Sequence, residues 1–262
     1  MKQIMIAGLL LLLNSSTLSA LDLSLSIQPV LPKADIQQAY QPLADYLSKQ
    51  TGHNITIKAH SNFLTYWSSL RQKKGFDLTL DAAHFTDYRV NKLKYTVLAK
   101  LPDTVSFTLV THEDNLVLDA EELILKKIAT MVSPSVGAIR LLSLFPDPMR
   151  QPRFIYALDS LDAAQQVISG EAFAAVIPTA LVANFEQLNP VLTTDSLPHM
   201  AFSASPDVPA DVMEKIQLAL LSAKNSAEGQ AMLEKLNFVS FERSTNKDYE
   251  GYKSLLQDTL GY

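Results

Sequence analysis

The stretch LDLSLSIQPVLPKADIQQAYQPLADYLSKQTGHNITI, residues 21–57, decides the fold class of this 262-residue chain. Apolar and polar residues alternate over residues 21–27, which is the period of a β-strand with one buried face. Apolar residues then recur every three or four positions over residues 36–47, as on one face of a helix, and Gly52 supplies a left-handed stop. A second alternation over residues 55–57 completes a β-α-β unit.

The same order continues along the first half of the chain. Helical spacing over residues 63–70 precedes a strand pattern over 76–80, a short helix over 84–92 and a strand over 95–99. Pro42 lies within the first helix and predicts either two helical pieces or a kink there. Strands that alternate with helices predict a mostly parallel sheet, which binds ligands at the carboxyl ends of its strands.

A second αβ unit begins at Phe107. Its strand patterns cover residues 107–110, 128–132, 154–158 and 173–177, with helical stretches between them. After Pro190 the chain is dotted with proline and is predicted to be extended. Three helices then follow, over residues 210–223, 227–236 and 246–260.

The two αβ units predict a molecule of two lobes. We expect a first lobe built from residues 21–105 and 199–262, and a second built from residues 106–198. The chain would cross between the lobes near residues 102–107 and again near residues 195–200. Two crossovers form a hinge, and hinge closure around a small ligand is a known use of this geometry.

Residues 1–20 predict a secretory signal peptide. Lys2 precedes an apolar run over residues 4–13, and a small, polar segment follows. The run is too short for a permanent membrane span, and we expect cleavage after Ala20, with Ser19 as the alternative. The chain has no Cys, so the mature protein would have neither a disulfide nor a lipid anchored through a thioether. We therefore expect an exported, soluble, periplasmic protein.

Composition and motifs exclude several classes of function. The formal net charge of -5 disfavours nucleic acid as a partner. The five His residues form no i,i+4 pair, so we expect no metal site. No G-x-S-x-G motif and no glycine-rich phosphate loop occur, so we expect neither a cofactor nor an enzyme.

Five stretches, taken together and in order, are similar to one family. They are YQPLADYLSKQTGHNITI (40–57), GFDLTLDAAHFTDYR (75–89), KKIATMVSPSVGAIRLL (126–142), SGEAFAAVIPTALV (169–182) and SPDVPADVMEKIQLAL (205–220). The chain resembles the phosphate/phosphite/phosphonate-type substrate-binding proteins of ABC importers, although Phe173 stands where that family usually has Asp. The resemblance implies the type II periplasmic binding-protein fold and a protein that delivers a solute to a membrane permease.

The resemblance also implies a binding site at a helix N-terminus. In this family a small oxyanion binds between the lobes, and the matching stretch here is residues 133–137. The first turn of a helix has unpaired N–H groups and a partial positive charge. Ser133 or Ser135 would offer a hydroxyl, and Val136 and Gly137 would offer backbone N–H groups. Alternatively, one serine only caps the helix, or does both.

The loop after the third strand implies further contacts from the first lobe. Asp81 would accept a hydrogen bond from an amine or a protonated ligand oxygen, and His84 would donate to an anion. Alternatively, Asp81 caps the short helix and His84 is a solvated residue of its first turn. Other strand and helix ends supply four more candidates, which are Gln28, Asn62, Tyr66 and Thr179.

These observations favour a monomeric periplasmic solute-binding protein. It would capture a small anionic or zwitterionic ligand, similar to a phosphonate or phosphate, by hinge closure, and deliver it to an ABC permease. The alternative is a periplasmic sensor module that binds a ligand and signals to a membrane kinase or cyclase, because one fold serves both functions.

Overall fold

The computed structural model describes residues 20–72, 76–257 and 259. The predicted signal peptide therefore lies outside the described residues, apart from Ala20. Two five-stranded sheets with flanking helices and one two-stranded ladder make up the described chain. Within these ranges, no helix is both long enough and apolar enough to cross a membrane.

The first sheet has the strand order β2-β1-β3-β12-β4, and β12 alone runs against the other strands. Its strands are β1 (Asp22–Ile27), β2 (Asn54–Lys58), β3 (Leu78–Asp81), β4 (Thr96–Lys100) and β12 (Ala201–Ala204). Its helices are α1 (Lys33–Thr51), α2 (Phe63–Arg71), α3 (Ala83–Tyr88), α7 (Ala210–Ser222) and α8 (Ala227–Leu236).

The second sheet has the strand order β10-β6-β9-β7-β8, and β6 alone runs against the others. Its strands are β6 (Phe107–His112), β7 (Lys127–Thr130), β8 (Arg153–Tyr156), β9 (Ala174–Pro178) and β10 (Leu188–Thr193). Its helices are α4 (Val136–Leu144), α5 (Ser160–Ile168) and α6 (Thr179–Val182). Each sheet therefore has four strands in one direction and a single strand that returns.

The two passages between the sheets lie side by side. Strand β5 (Thr104–Val105) follows the first sheet, and strand β11 (Leu197–Pro198) leads back to it. The two strands pair antiparallel, with Leu197 opposite Val105. A ladder this short forms few hydrogen bonds, so the two large sheets remain separate sheets.

Strand β1 is buried on both of its faces, although its sequence alternates. Leu25 and Ile27 lie in the core with Leu43 of α1, as the pattern predicts. Ser26 is equally buried, and its Oγ lies 3.3 Å from His60 Nε2. Covered strands tolerate such serines because each hydroxyl finds a hydrogen-bond partner inside the protein.

Helix α1 is continuous, so the alternative of two helical pieces is wrong. Pro42 lies inside it and cannot donate to the carbonyl of Gln38, four residues earlier. Gln38 is exposed, so water can replace the missing donor. Gly52 ends the helix in a left-handed conformation with φ of 75°, as predicted.

The last predicted helix is also wrong. The 3-10 turns Asn246–Tyr249 and Tyr252–Leu256 occupy the region instead, and residues 258 and 260 lie outside the described ranges. Gly251 separates the two turns with φ of 96°, a conformation that ends a helix. Strands β10 and β12 lie in the region for which the sequence predicts only extended chain.

Candidate ligand-binding site

A pocket of about 190 Å³ lies between the two sheets, where strands of both sheets end. From the first sheet, Gln28 follows β1 and Ala82 follows β3. From the second sheet, Thr130 ends β7 and Pro178 ends β9. The pocket therefore occupies the position at which α/β sheets bind ligands.

The N-terminus of helix α4 forms one wall of this pocket. Ser135, Val136 and Gly137, three of the predicted ligand-binding residues, all line it. The Oγ of Ser135 accepts from the Ala138 N–H at 3.2 Å and donates to the Met131 carbonyl at 3.2 Å, so this hydroxyl is a helix cap. Among the described residues, the backbone N–H groups of Val136 and Gly137 have no acceptor. These two N–H groups can bind an anion.

Gln28 also reaches the pocket. Its Oε1 accepts from the Ala82 N–H at 2.9 Å, which fixes the side-chain amide against the loop after β3. Its Nε2 lies 2.9 Å from the sulfur of Met200, another lining residue. A thioether is a weak acceptor, so this amide can donate to a ligand oxygen instead.

Asp81 does not face the pocket, so the prediction that it accepts from a ligand needs correction. Its carboxylate is fully buried and forms a bidentate ion pair with the guanidinium of Arg89. It also accepts from the Tyr66 hydroxyl and, at 3.0 Å, from the Thr86 hydroxyl. The two carboxylate oxygens of Asp81 thus accept from four protein donors, so neither oxygen is left to accept from a ligand amine.

Tyr66 belongs to the same buried cluster rather than to the cleft. Its ring is completely buried and packs edge-on against Phe85 and Phe76. Burial, followed by the charge of Asp81, holds the pKa of Tyr66 well above 10. Burial alone would lower the pKa of Arg89, but the adjacent Asp81 carboxylate outweighs burial and raises it. The cluster is therefore an ionised pair with a neutral phenol.

His84 joins the two halves of the site instead of facing solvent. Its Nε2 lies 2.9 Å from the carbonyl of Pro134, on the loop that leads into α4. A carbonyl only accepts, so Nε2 must carry the proton. The other ring nitrogen, Nδ1, is buried with no partner among the described residues. Burial is the main reason why the pKa of His84 falls from 6.5 to about 4.

We expect acid to destabilise the fold through this histidine. Between about pH 6.5 and about pH 4 the unfolded chain protonates His84 but the folded chain does not, so the free energy of unfolding falls as pH falls. The expected loss from about pH 7 to about pH 5 is on the order of 2 kcal/mol. Urea unfolding at the two pH values measures it.

The control for this prediction is the same substitution at a second histidine. His84→Gln keeps an N–H donor but cannot be protonated, so the stability of this variant should depend less on pH. His112→Gln changes a partly exposed histidine on β6 and should leave the pH dependence as it is in the parent protein. Equal pH dependence in the parent and in His84→Gln would refute the role of His84.

Three other predicted contacts lie outside the main pocket. Ser133 lines a separate depression beside Tyr156 on β8. Asn62 caps α2 by accepting from the Thr65 N–H at 2.9 Å. The hydroxyl of Thr179 lies within 3 Å of the hydroxyls of Ser106 and Thr108, so it connects the start of α6 to strand β6 and the residue before it.

Most of the pocket wall consists of residues that sequence reasoning did not select. They look like core residues, because nothing in an apolar side chain distinguishes a pocket wall from a buried layer. The unselected lining residues are Val30, Phe63, Ala82, Val105, Phe107, Thr130, Met131, Ser160, Val176, Pro178, His199 and Met200. Within the described part of the chain, no group of three or more acidic or histidine side chains is arranged to hold a metal ion.

The fold and the site together define a class of protein. Two αβ units joined by a double crossover, with a pocket between their strand ends, are the architecture of two-lobed periplasmic binding proteins. The structure is similar to PhnD1 from Prochlorococcus marinus in complex with methylphosphonate, with a TM-score of 0.75 and 13% identity over 90% of this chain and 97% of that one. The predicted type II fold is confirmed.

Sequence comparison identifies the family. Residues 25–249 match the family described as the phosphonate ABC transporter periplasmic substrate-binding protein, and the chain belongs to this family. A binding-protein component of an ABC phosphonate transporter from Pseudomonas aeruginosa is also similar, with a TM-score of 0.72 and 13% identity over 90% of this chain and 86% of that one. No curated protein sequence is significantly similar to this chain. The predicted solute-binding role is confirmed.

Proposed function

We propose that this protein binds a small oxyanion in the pocket between its sheets and presents it to an ABC permease. The observation that carries the proposal is the pair of N–H groups of Val136 and Gly137, which lack an acceptor among the described residues and line the pocket. The amide of Gln28 would donate to the same ligand from the opposite side. A relative with this fold is bound to methylphosphonate, which supports an oxyanion.

Binding would be coupled to closure of the two lobes. We place the first lobe at residues 21–105 and 199–262 and the second at 106–198, with β5 and β11 as the hinge. Contacts across the cleft, such as His84 Nε2 with the Pro134 carbonyl, would stabilise the closed form. A ligand that contacts both lobes binds the closed form better, so it shifts the population toward that form. The permease would then distinguish loaded from empty protein.

The family supports a periplasmic location for the protein. We propose that residues 1–20 are removed as a signal peptide, and that the mature chain is a periplasmic monomer without a lipid anchor, since it has no Cys. We propose no catalytic role for the residues of the pocket.

A thermal-shift screen tests the proposal. The mature protein would be heated with phosphate, alkylphosphonates, alkylsulfonates and short carboxylates, with neutral alcohols of similar size as controls. An oxyanion present at about a hundred times its Kd should add about 2.7 kcal/mol to the free energy of unfolding, which raises Tm clearly. Stabilisation by the alcohols but by none of the oxyanions would contradict the proposal.

A further inference from the structure

The walls of the pocket are mostly apolar. Phe63, Phe107, Val105, Val176 and Met200 are among the residues that line it. Among the lining residues that the structure describes, none is Asp, Glu, Lys or Arg. Burial lowers the pKa of His199, the one titratable residue in the wall, so this imidazole is neutral at pH 7. A charged ligand here meets no charged side chain.

Two polar side chains of the pocket are hydrogen-bond donors whose acceptors are weak. Gln28 Nε2 rests on the sulfur of Met200 at 2.9 Å. Within the described ranges, the only acceptor of the Ser160 hydroxyl is the sulfur of Met131, at 3.9 Å. Thioether sulfur is a weak acceptor and methionine side chains move easily, so both donors can turn to a ligand oxygen. The two N–H groups at the start of α4 complete a set of donors.

The amide and imidazole acceptors of the pocket wall already accept hydrogen bonds. The Oε1 of Gln28 accepts from the Ala82 N–H at 2.9 Å. The Nδ1 of His199 accepts from the Met200 N–H at 2.8 Å. The nearest loop carboxylate, that of Asp81, is held by Arg89 and Tyr66. A buried ammonium group without a carboxylate or similar partner is strongly unfavourable.

We infer that the ligand is a small acid with an apolar body and no ammonium group. This inference rests on the proposed function, and it narrows the ligand class from anionic or zwitterionic to alkyl oxyanions. The oxyanion head binds at the start of α4 and at Gln28, and the alkyl part lies against Phe107 and Val176. The cavity of about 190 Å³ is large enough for a small ligand of this kind.

Matched ligand pairs test the inference. In each pair the two compounds share the acidic head group and differ at the other end, where one has a methyl group and the other an ammonium group. The pairs are propylphosphonate and 2-aminoethylphosphonate, propanesulfonate and taurine, and butanoate and β-alanine. Isothermal titration of the mature protein with all six gives the ratio of Kd values within each pair. In the pair whose head group binds best, the alkyl member should bind at least tenfold more tightly than the amine.

The outcomes separate the inference from the proposed function. If the amine binds as tightly as its alkyl counterpart, the inference is wrong and the oxyanion site stands. If none of the six compounds binds although another oxyanion of the thermal-shift screen does, the inference is wrong and the oxyanion site stands. If no oxyanion of the screen binds either, the proposed function fails and the inference fails with it.

A charge introduced into the wall provides an independent test. Val30 lines the pocket and is partly exposed, so an aspartate is tolerated there more easily than in the core. Val30→Asp should shift the Kd ratio within the best pair toward the amine by at least tenfold, whereas the uncharged Val30→Asn should not. An unchanged ratio in folded Val30→Asp would overturn the inference.

Discussion

Replacing Arg89 by methionine is expected to lower the free energy of unfolding by about 3–5 kcal/mol at neutral pH. Arg89 and Asp81 are both fully buried, and the guanidinium binds both carboxylate oxygens. Without the arginine, Asp81 becomes a buried charge with only the hydroxyls of Tyr66 and Thr86 as donors. Urea or guanidinium unfolding of both proteins measures the difference.

Two comparisons distinguish this buried pair from ordinary charge removal. Lys49→Met breaks the exposed ion pair with Glu228, whose side chains are 69% and 40% exposed, and should cost less than about 1 kcal/mol. The double variant Asp81→Asn, Arg89→Met removes both charges and should regain part of the stability that Arg89→Met alone loses. Equal losses in Arg89→Met and Lys49→Met would contradict the account.

Replacing Val136 by proline is expected to have the largest effect on ligand affinity. Val136 is the first residue of α4, where proline fits, and Ser135 before it has the extended backbone that proline requires, with φ -60° and ψ 149°. The substitution therefore removes one N–H from the proposed oxyanion site while the helix persists. A hydrogen bond to a charged group contributes about 1.5–3 kcal/mol, so Kd should rise roughly tenfold to a hundredfold.

The matched control is Val136→Ala, which removes apolar bulk but keeps the N–H. It should bind the best oxyanion from the thermal-shift screen much more tightly than Val136→Pro does. Titration calorimetry of the three proteins with that compound measures both effects, and unfolding curves check that each variant is folded. If Val136→Ala and Val136→Pro lost affinity equally, the side chain and not the N–H would be responsible.

The fold was largely predictable because its signals are local. The strand alternation of β1 and the helical spacing of α1 and α2 depend only on residues near in sequence. β12 was not recognised, because its four residues gain their strand structure from pairing with β3 and β4, far away in the chain. The C-terminal turns differ from the predicted helix because Gly251, with φ of 96°, interrupts the helical spacing.

Residues that line the pocket could be predicted from the sequence only where they follow the carboxyl end of a strand. Gln28, Ser135, Val136 and Gly137 do line the pocket, because each follows a strand whose carboxyl end faces the cleft. Asp81 follows such a strand too, but its burial could not be predicted from its position in the sequence. Its partner Arg89 lies eight residues later, just after α3, where a charged residue is normally predicted to be exposed to solvent.

Closure of the two lobes over a ligand is the central claim, and an interlobe distance tests it most directly. The chain has no Cys, so cysteines introduced at Leu64 on α2 and Leu161 on α5, both exposed, would be the only labelling sites. Pulsed electron-electron double resonance between spin labels at these two positions would be recorded with and without the best oxyanion from the thermal-shift screen. We expect saturating ligand to give a narrower distribution at shorter distance. An identical distribution in both states would contradict closure.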